Sequence, residues 1–141
     1  MEEVYIDAEN MVAGRLASAI AKDLLKGEKV IVVNAEKAVI SGNPKHVIDS
    51  YTEKRDRGDP YHGPFYPREP DRILKRIVRG MVPYKKSRGS EAFRRLRVFI
   101  SVPEEYRNRQ FKRPGGAENN LKCKTMSIGK LSEKLGAKKT W

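Results

Sequence analysis

Leu16, Ile20 and Leu24 recur every fourth residue, with Ala13, Ala17 and Ala21 beside them. That spacing draws one apolar face and predicts a helix over 13–27, closed by Gly27. On either side the period changes. VYIDA (4–8) alternates apolar and polar, as a strand start does, and KVIVVNAEKAVISG (29–42) holds two β-branched runs, VIVV and AVIS. An unbroken VIVV suits a strand buried on both faces of a parallel sheet. Strand, helix and strand in that order predict a βαβ unit.

The next apolar positions are sparser. NPKHVIDSYTEKR (43–55) reads as a helix with Asn43 as cap and Pro44 in its first turn. RDRGDPYHGPFYPREP (55–70) carries four of the eight prolines and two glycines, so no regular element fits. It is long for a connection, and is either disordered or held against a partner. PDRILKRIVRGM (70–81) predicts a helix with two unlike sides. Ile73, Leu74, Ile77, Val78 and Met81 fall on one side, and Arg72, Lys75, Arg76 and Arg79 within a stripe of roughly 100° on the other. SEAFRRLR (90–97) predicts a shorter helix capped by Ser90, and RVFISV (97–102) a strand. After 103 the chain is polar and irregular, with about one helical turn at PEEY and a short amphipathic helix in TMSIGKLSEKLG. One domain is expected: an α/β body over about 1–102 and a basic C-terminal extension over about 103–141.

Charge changes this picture from a fold to a binder. The net charge is +12, yet the first fifty residues sum to −2 and the rest to +14. From 68 to 97 there are eleven Lys or Arg against three Asp or Glu. One basic helix face is often only a solvated surface. Three consecutive basic elements with few acidic neighbours repel one another and point to a polyanion. Each phosphate they neutralise releases counterions, and the arginine fork suits phosphate oxygens. In RGMVPYKKSRG (79–89), Gly80 and Pro83 stop the helix, Met81 and Val82 are expected to anchor the turn by burial, and Lys85, Lys86 and Arg88 project around Tyr84. Gly89 is expected to permit a tight reversal into the next helix, where Arg94, Arg95 and Arg97 extend the field.

Folded RNA is favoured over DNA. The chain has no helix-turn-helix pattern, zinc-finger spacing or basic zipper, and no RNA-recognition-motif aromatic signature. Irregular basic segments with tyrosine and proline suit an uneven RNA surface. Tyr61, His62, Phe65 and Tyr66 offer rings for stacking on bases, with packing on the protein's own body at least as well supported for each one.

Other function classes find little support. Asp7, Asn34 and Gly42 follow apolar strands, where α/β folds place ligands, and carry the case for a nucleotide-using enzyme. No glycine-rich phosphate loop, nucleophile elbow or acid/base carboxylate pair accompanies them, and His46 and His62 stand alone. No catalytic residue, cofactor, metal or small-molecule substrate is expected. A membrane-docking factor would need a basic amphipathic helix with a broad aromatic face. No apolar run approaches the ~20 residues of a membrane span, and the acidic N-terminus does not resemble a signal peptide. Cys123 is the one cysteine and reads as an incidental thiol. A cytosolic protein is expected.

VYIDAENMVAGRLAS, VVNAEKAVISGNP and RIVRGMVPYKKSRG, in this order, closely resemble the large-subunit ribosomal protein L-thirteen family. The likeness covers residues 4 to about 102, and RGMVPYKKSRG through EAFRRLRVF resembles its signature segment. The tail MSIGKLSEKLG and Tyr84 resemble the archaeal branch, while Val82 stands where the family more often has Leu. The resemblance implies a three-layer α/β/α sandwich on a small, mainly parallel four-stranded sheet. It implies a non-catalytic protein that binds large-subunit ribosomal RNA early in assembly, beside neighbouring ribosomal proteins. Matching positions make Arg15, Arg79, Lys85, Lys86 and Arg88 expected RNA contacts. Gly80, Met81 and Pro83 are assigned to turn geometry. Charge alone adds Arg55, Arg57, Arg68, Arg107, Arg109, Lys112 and Arg113.

Overall fold

The computed structural model describes residues 2–141 and is mixed α/β. In chain order it runs β1 (Glu3–Asp7), α1 (Ala13–Leu25), β2 (Lys29–Val33), a 3-10 turn (Ala35–Lys37), β3 (Val39–Ser41), α2 (Pro44–Asp56), α3 (Pro70–Arg79), α4 (Ser87–Arg94), β4 (Leu96–Val98), a second 3-10 turn (Glu104–Tyr106), β5 (Thr125–Ser127) and α5 (Ile128–Lys134).

The βαβ unit forms as its pattern predicts. β1 pairs parallel with β2, and β2 with β4, in the order β1-β2-β4. α1 buries Ala13, Leu16, Ala17, Ile20, Ala21 and Leu24. Ile6, Val30, Val32 and Leu96 join that core from the sheet, with Ile73, Leu74 and Val78 of α3. The strand alternation sends Tyr5 and Ile31, paired across β1 and β2, to the opposite side.

That opposite side departs from the expected sandwich. Tyr5 packs there against Tyr106 and Phe111 at 5.6 and 6.2 Å between ring centroids, so irregular chain brings an aromatic layer over it. The free edge of β1 is met by Lys112, whose N–H donates to the Tyr5 carbonyl at 2.8 Å and whose carbonyl accepts from the Asp7 N–H at 3.2 Å.

The expected four-stranded sheet is found as three strands and a separate ladder. AVIS does form β3, but β3 pairs antiparallel with β5 instead of joining the parallel sheet. β5 is three residues long, too short to show a period in the sequence. Residues after 103, read from sequence as an extension, also reach the core: Met126, Ile128, Leu131 and Leu135 are buried with the body.

Helix ends explain the remaining differences. Asn43 caps α2, its side chain accepting from the Lys45 N–H at 3.1 Å. α3 stops at Arg79, two residues before the predicted end, with Gly80 at its C-cap. Val82 is buried as expected, whereas Met81 is 43% exposed and does not anchor the turn. α4 begins at Ser87 rather than after Ser90, so Ser90 is not its cap. Gly89 therefore lies within the helix and makes no reversal. A Cβ there would sit 2.0 Å from the Pro83 carbonyl oxygen, so only glycine lets α4 approach the turn this closely.

Candidate nucleic-acid interface

α3 is amphipathic, and burying Ile73, Leu74 and Val78 leaves its cations on the outer side. Three of them lie on aromatic rings. Lys75 Nζ is 5.2 Å from the centroid of Phe93, the Arg76 guanidinium 5.6 Å from Tyr66, and the Arg79 guanidinium 3.9 Å from Tyr84. Arg79 also donates to the Tyr84 hydroxyl. Arg72, the fourth, is exposed and 3.9 Å from Glu69, a weak surface pair. Rings under a cation reduce the freedom of its long side chain without neutralising it.

The turn after α3 is closed by backbone bonds, Tyr84 N–H to the Val82 carbonyl and Lys86 N–H to the Pro83 carbonyl, at 2.8 and 2.9 Å. Lys85, Lys86 and Arg88 are exposed there, and among the described residues none has an acidic partner within ion-pair distance. α4 starts among them with no side-chain cap, so the partial positive charge of its first N–H groups adds to theirs. A groove of about 430 Å³ runs along this cluster, lined by Arg76, Arg79, Val82, Pro83, Tyr84, Lys85 and Lys86. A neighbouring groove of about 410 Å³ shares Arg76, Arg79 and Tyr84 and continues past Phe65, Pro67, Arg72, Lys75 and Phe93.

The other predicted cations divide. Arg94 is exposed on α4. Arg95 turns inward instead, donating to the Leu24 carbonyl at the end of α1, with its Nε buried and unpaired. Arg97 is exposed on β4, on the same side of the sheet as Tyr5 and Ile31, away from the apolar face of α3. Arg109 lies 5.6 Å from the Tyr5 centroid on that side, near exposed Arg107 and Lys112. Arg113 donates to the Glu9 carbonyl at 2.6 Å and meets Asp7 at 3.5 Å. Arg55 donates to the Leu135 carbonyl just after α5 and pairs with Asp56; Arg57 pairs with Glu53 at 2.8 Å. Arg68 is exposed, as is Arg15 at the start of α1, the latter beside Ser41 and Tyr51.

Two residues absent from the sequence-based set belong to the aromatic arrangement. Phe93 supports Lys75, and Lys54 lies over Tyr51 and Tyr66 at 4.6 and 5.6 Å. The three-residue spacing of Tyr51 and Lys54 along α2 was the signal for the second. Tyr66 packs edge-on against Tyr51, on the protein's own body, whereas Tyr61 and Phe65 are 89% and 70% exposed. Burial pushes the Tyr51 hydroxyl up to about 12, helped by Tyr66 beside it, and raises Tyr66 as well.

The polar strand ends are occupied by one another. Asn34 Nδ2 donates to Asp7 Oδ1 at 2.9 Å, and the same oxygen accepts from the Glu9 N–H. Buried Glu36 accepts from the N–H and hydroxyl of Ser101. Among the described residues no His, Cys, Asp and Glu cluster is placed to hold a metal, and no helix is long and apolar enough to cross a membrane.

A family model described as ribosomal protein L13 matches residues 1–105. Among similar proteins, the large ribosomal subunit protein uL13 of Archaeoglobus fulgidus is 51% identical, over 93% of this chain and 86% of its own. Those of Methanococcoides burtonii and Methanopyrus kandleri are 48% and 46% identical, over 94% and 96% of this chain and 97% and 87% of theirs.

Proposed function

The chain belongs to the ribosomal protein L13 family, and on that premise we propose that it is a structural constituent of the large ribosomal subunit. In this reading it binds large-subunit ribosomal RNA through α3, α4 and the turn between them, and supports early subunit assembly. It is not an enzyme. It works in the cytoplasm as one domain, with neighbouring large-subunit proteins against its other surfaces.

The observation that carries the reading is the unpaired cluster of Lys85, Lys86 and Arg88 beside cations that rings hold in place on α3. Free cations packed this closely repel one another, and a phosphate backbone relieves that cost by releasing its counterions. Arg79, Lys85, Lys86 and Arg88 are the primary contacts, flanked by Arg68, Arg72, Lys75, Arg76, Tyr84 and Arg94. Arg15 extends this contact from the start of α1. Arg97, Arg107, Arg109 and Lys112 serve a second contact on the Tyr5 side of the sheet. Arg55, Arg95 and Arg113, whose guanidinium groups bind carbonyls of their own chain, serve the fold.

Titrating the chain with large-subunit ribosomal RNA over a range of salt tests this directly. Several phosphate contacts give a log–log slope on the order of −5 or steeper. A slope near zero discards the reading. In a lysate the chain should also travel with the large particle through a moderate salt wash.

A further inference from the structure

We propose that the groove between Phe65 and Tyr84 takes the base of an unpaired RNA nucleotide, whose phosphate is met at the rim by Arg72 and Arg76. The inference rests on the RNA-binding reading and adds which part of the RNA enters there. The groove measures about 410 Å³, within the range of ~300–1,000 Å³ typical of small-molecule sites. Its walls carry Phe65, Pro67, Tyr84 and Phe93 among the cations.

Holding cations accounts for Phe93 and Tyr84 in that lining, but phosphate binding gives no reason for Phe65 and Pro67. A hydrated anion gains nothing from a phenyl ring, whereas a base has a flat apolar face that stacks on one. Phe65 is 70% exposed, and a flat base laid on its ring would release the water around it. A base inside an A-form duplex is already covered on both faces by its neighbours, so the occupant is an unpaired one. The Arg79 guanidinium, stacked 3.9 Å over Tyr84, extends the same platform with a second planar group. The charge around the groove favours a polyanion over an ordinary protein loop, since Arg72, Lys75, Arg76 and Arg79 all line it.

The test compares two short single-stranded RNAs with the same number of phosphates, one carrying its bases and one abasic. The full chain should bind the base-bearing strand on the order of tenfold more tightly. Phe65→Ala should bring the two affinities together, and Phe65→Trp should restore the difference. Circular dichroism verifies that each variant is folded. Equal affinities in the native chain, or a difference that survives Phe65→Ala, overturn the proposal and leave the groove to an acidic protein segment. The parent reading is separable: salt-dependent binding of the abasic strand keeps it standing when base preference is absent. Failure to bind either strand overturns the proposal, and the titration with large-subunit ribosomal RNA then decides the parent reading by itself.

Discussion

The guanidinium of Arg79 lies face-on to the ring of Tyr84, five residues on, and donates to its hydroxyl. The last cation of α3 and the only aromatic residue of the following turn thus form one unit. Exposed contacts of this kind stabilise by about 0.5–1 kcal/mol. Their larger effect is on where the charge points. Tyr84→Phe, which keeps the ring, should leave RNA affinity within about twofold. Tyr84→Ala frees Arg79 and should weaken binding several-fold, with a melting temperature close to that of the native chain. Binding titrations and thermal melts on the two variants check this.

Gly89 gives a prediction of the opposite kind. An added methyl would lie 2.0 Å from the Pro83 oxygen, and backbone rather than a flexible side chain stands in its way. Gly89→Ala should therefore destabilise the protein by about 2–3 kcal/mol despite alanine's better helix propensity. A urea midpoint at or above the native value would refute the close approach of α4 to the turn.

Two sets of cations of similar sequence context should separate by measurement. Lys85, Lys86 and Arg88 changed together to Ala should leave stability within about 0.5 kcal/mol and make the salt slope of RNA binding shallower by about three, one for each phosphate no longer met. Arg95→Ala should do the reverse. It removes the donor to the Leu24 carbonyl and should cost about 1–3 kcal/mol in stability, with little change in slope. Loss of fold in the triple variant, or an unchanged melt for Arg95→Ala, would invert the assignment.

Tyr51 sets an alkaline limit. Its hydroxyl is pushed from an ordinary value of 10.0 up to about 12 by burial. Between those values the unfolded chain releases this proton while the folded chain keeps it. The unfolded state then binds fewer protons, so stability falls as pH rises through that window and is intact below it. Melting temperatures from pH 9 to pH 12 should show the decline, and Tyr51→Phe should make it shallower. An identical decline in both proteins would place its origin elsewhere.

What the sequence disclosed follows from the range of the interactions involved. The four-residue spacing in α1 and the VIVV run are local patterns, and both elements formed where they pointed. Asn43 and Pro44 named the start of α2 for the same reason. The pairing of β3 with β5 depends on residues more than eighty positions apart, and a three-residue strand leaves no period to read. Gly89 misled because a glycine in a basic segment is equally suited to a turn and to a tight helix contact, and only the position of Pro83 distinguishes them. Arginines behaved likewise. Composition marks Arg88 and Arg95 as equivalent, yet one is exposed and the other reaches a helix carbonyl seventy-one residues back. The aromatic supports under α3 come from α4, the turn and the proline-rich segment, so no single stretch announces them.

The bond from Lys112 to Tyr5, and the burial of Met126, Ile128, Leu131 and Leu135 in the core of the body, also bear on the order of events during translation. When the nascent chain has emerged only as far as β4, the edge of its first strand is bare and its core has a missing wall. The residues of the cationic turn have by then all been synthesised. Under the proposed function, ribosomal RNA would meet Lys85, Lys86 and Arg88 of the half-built protein before the last strand and helix seal it.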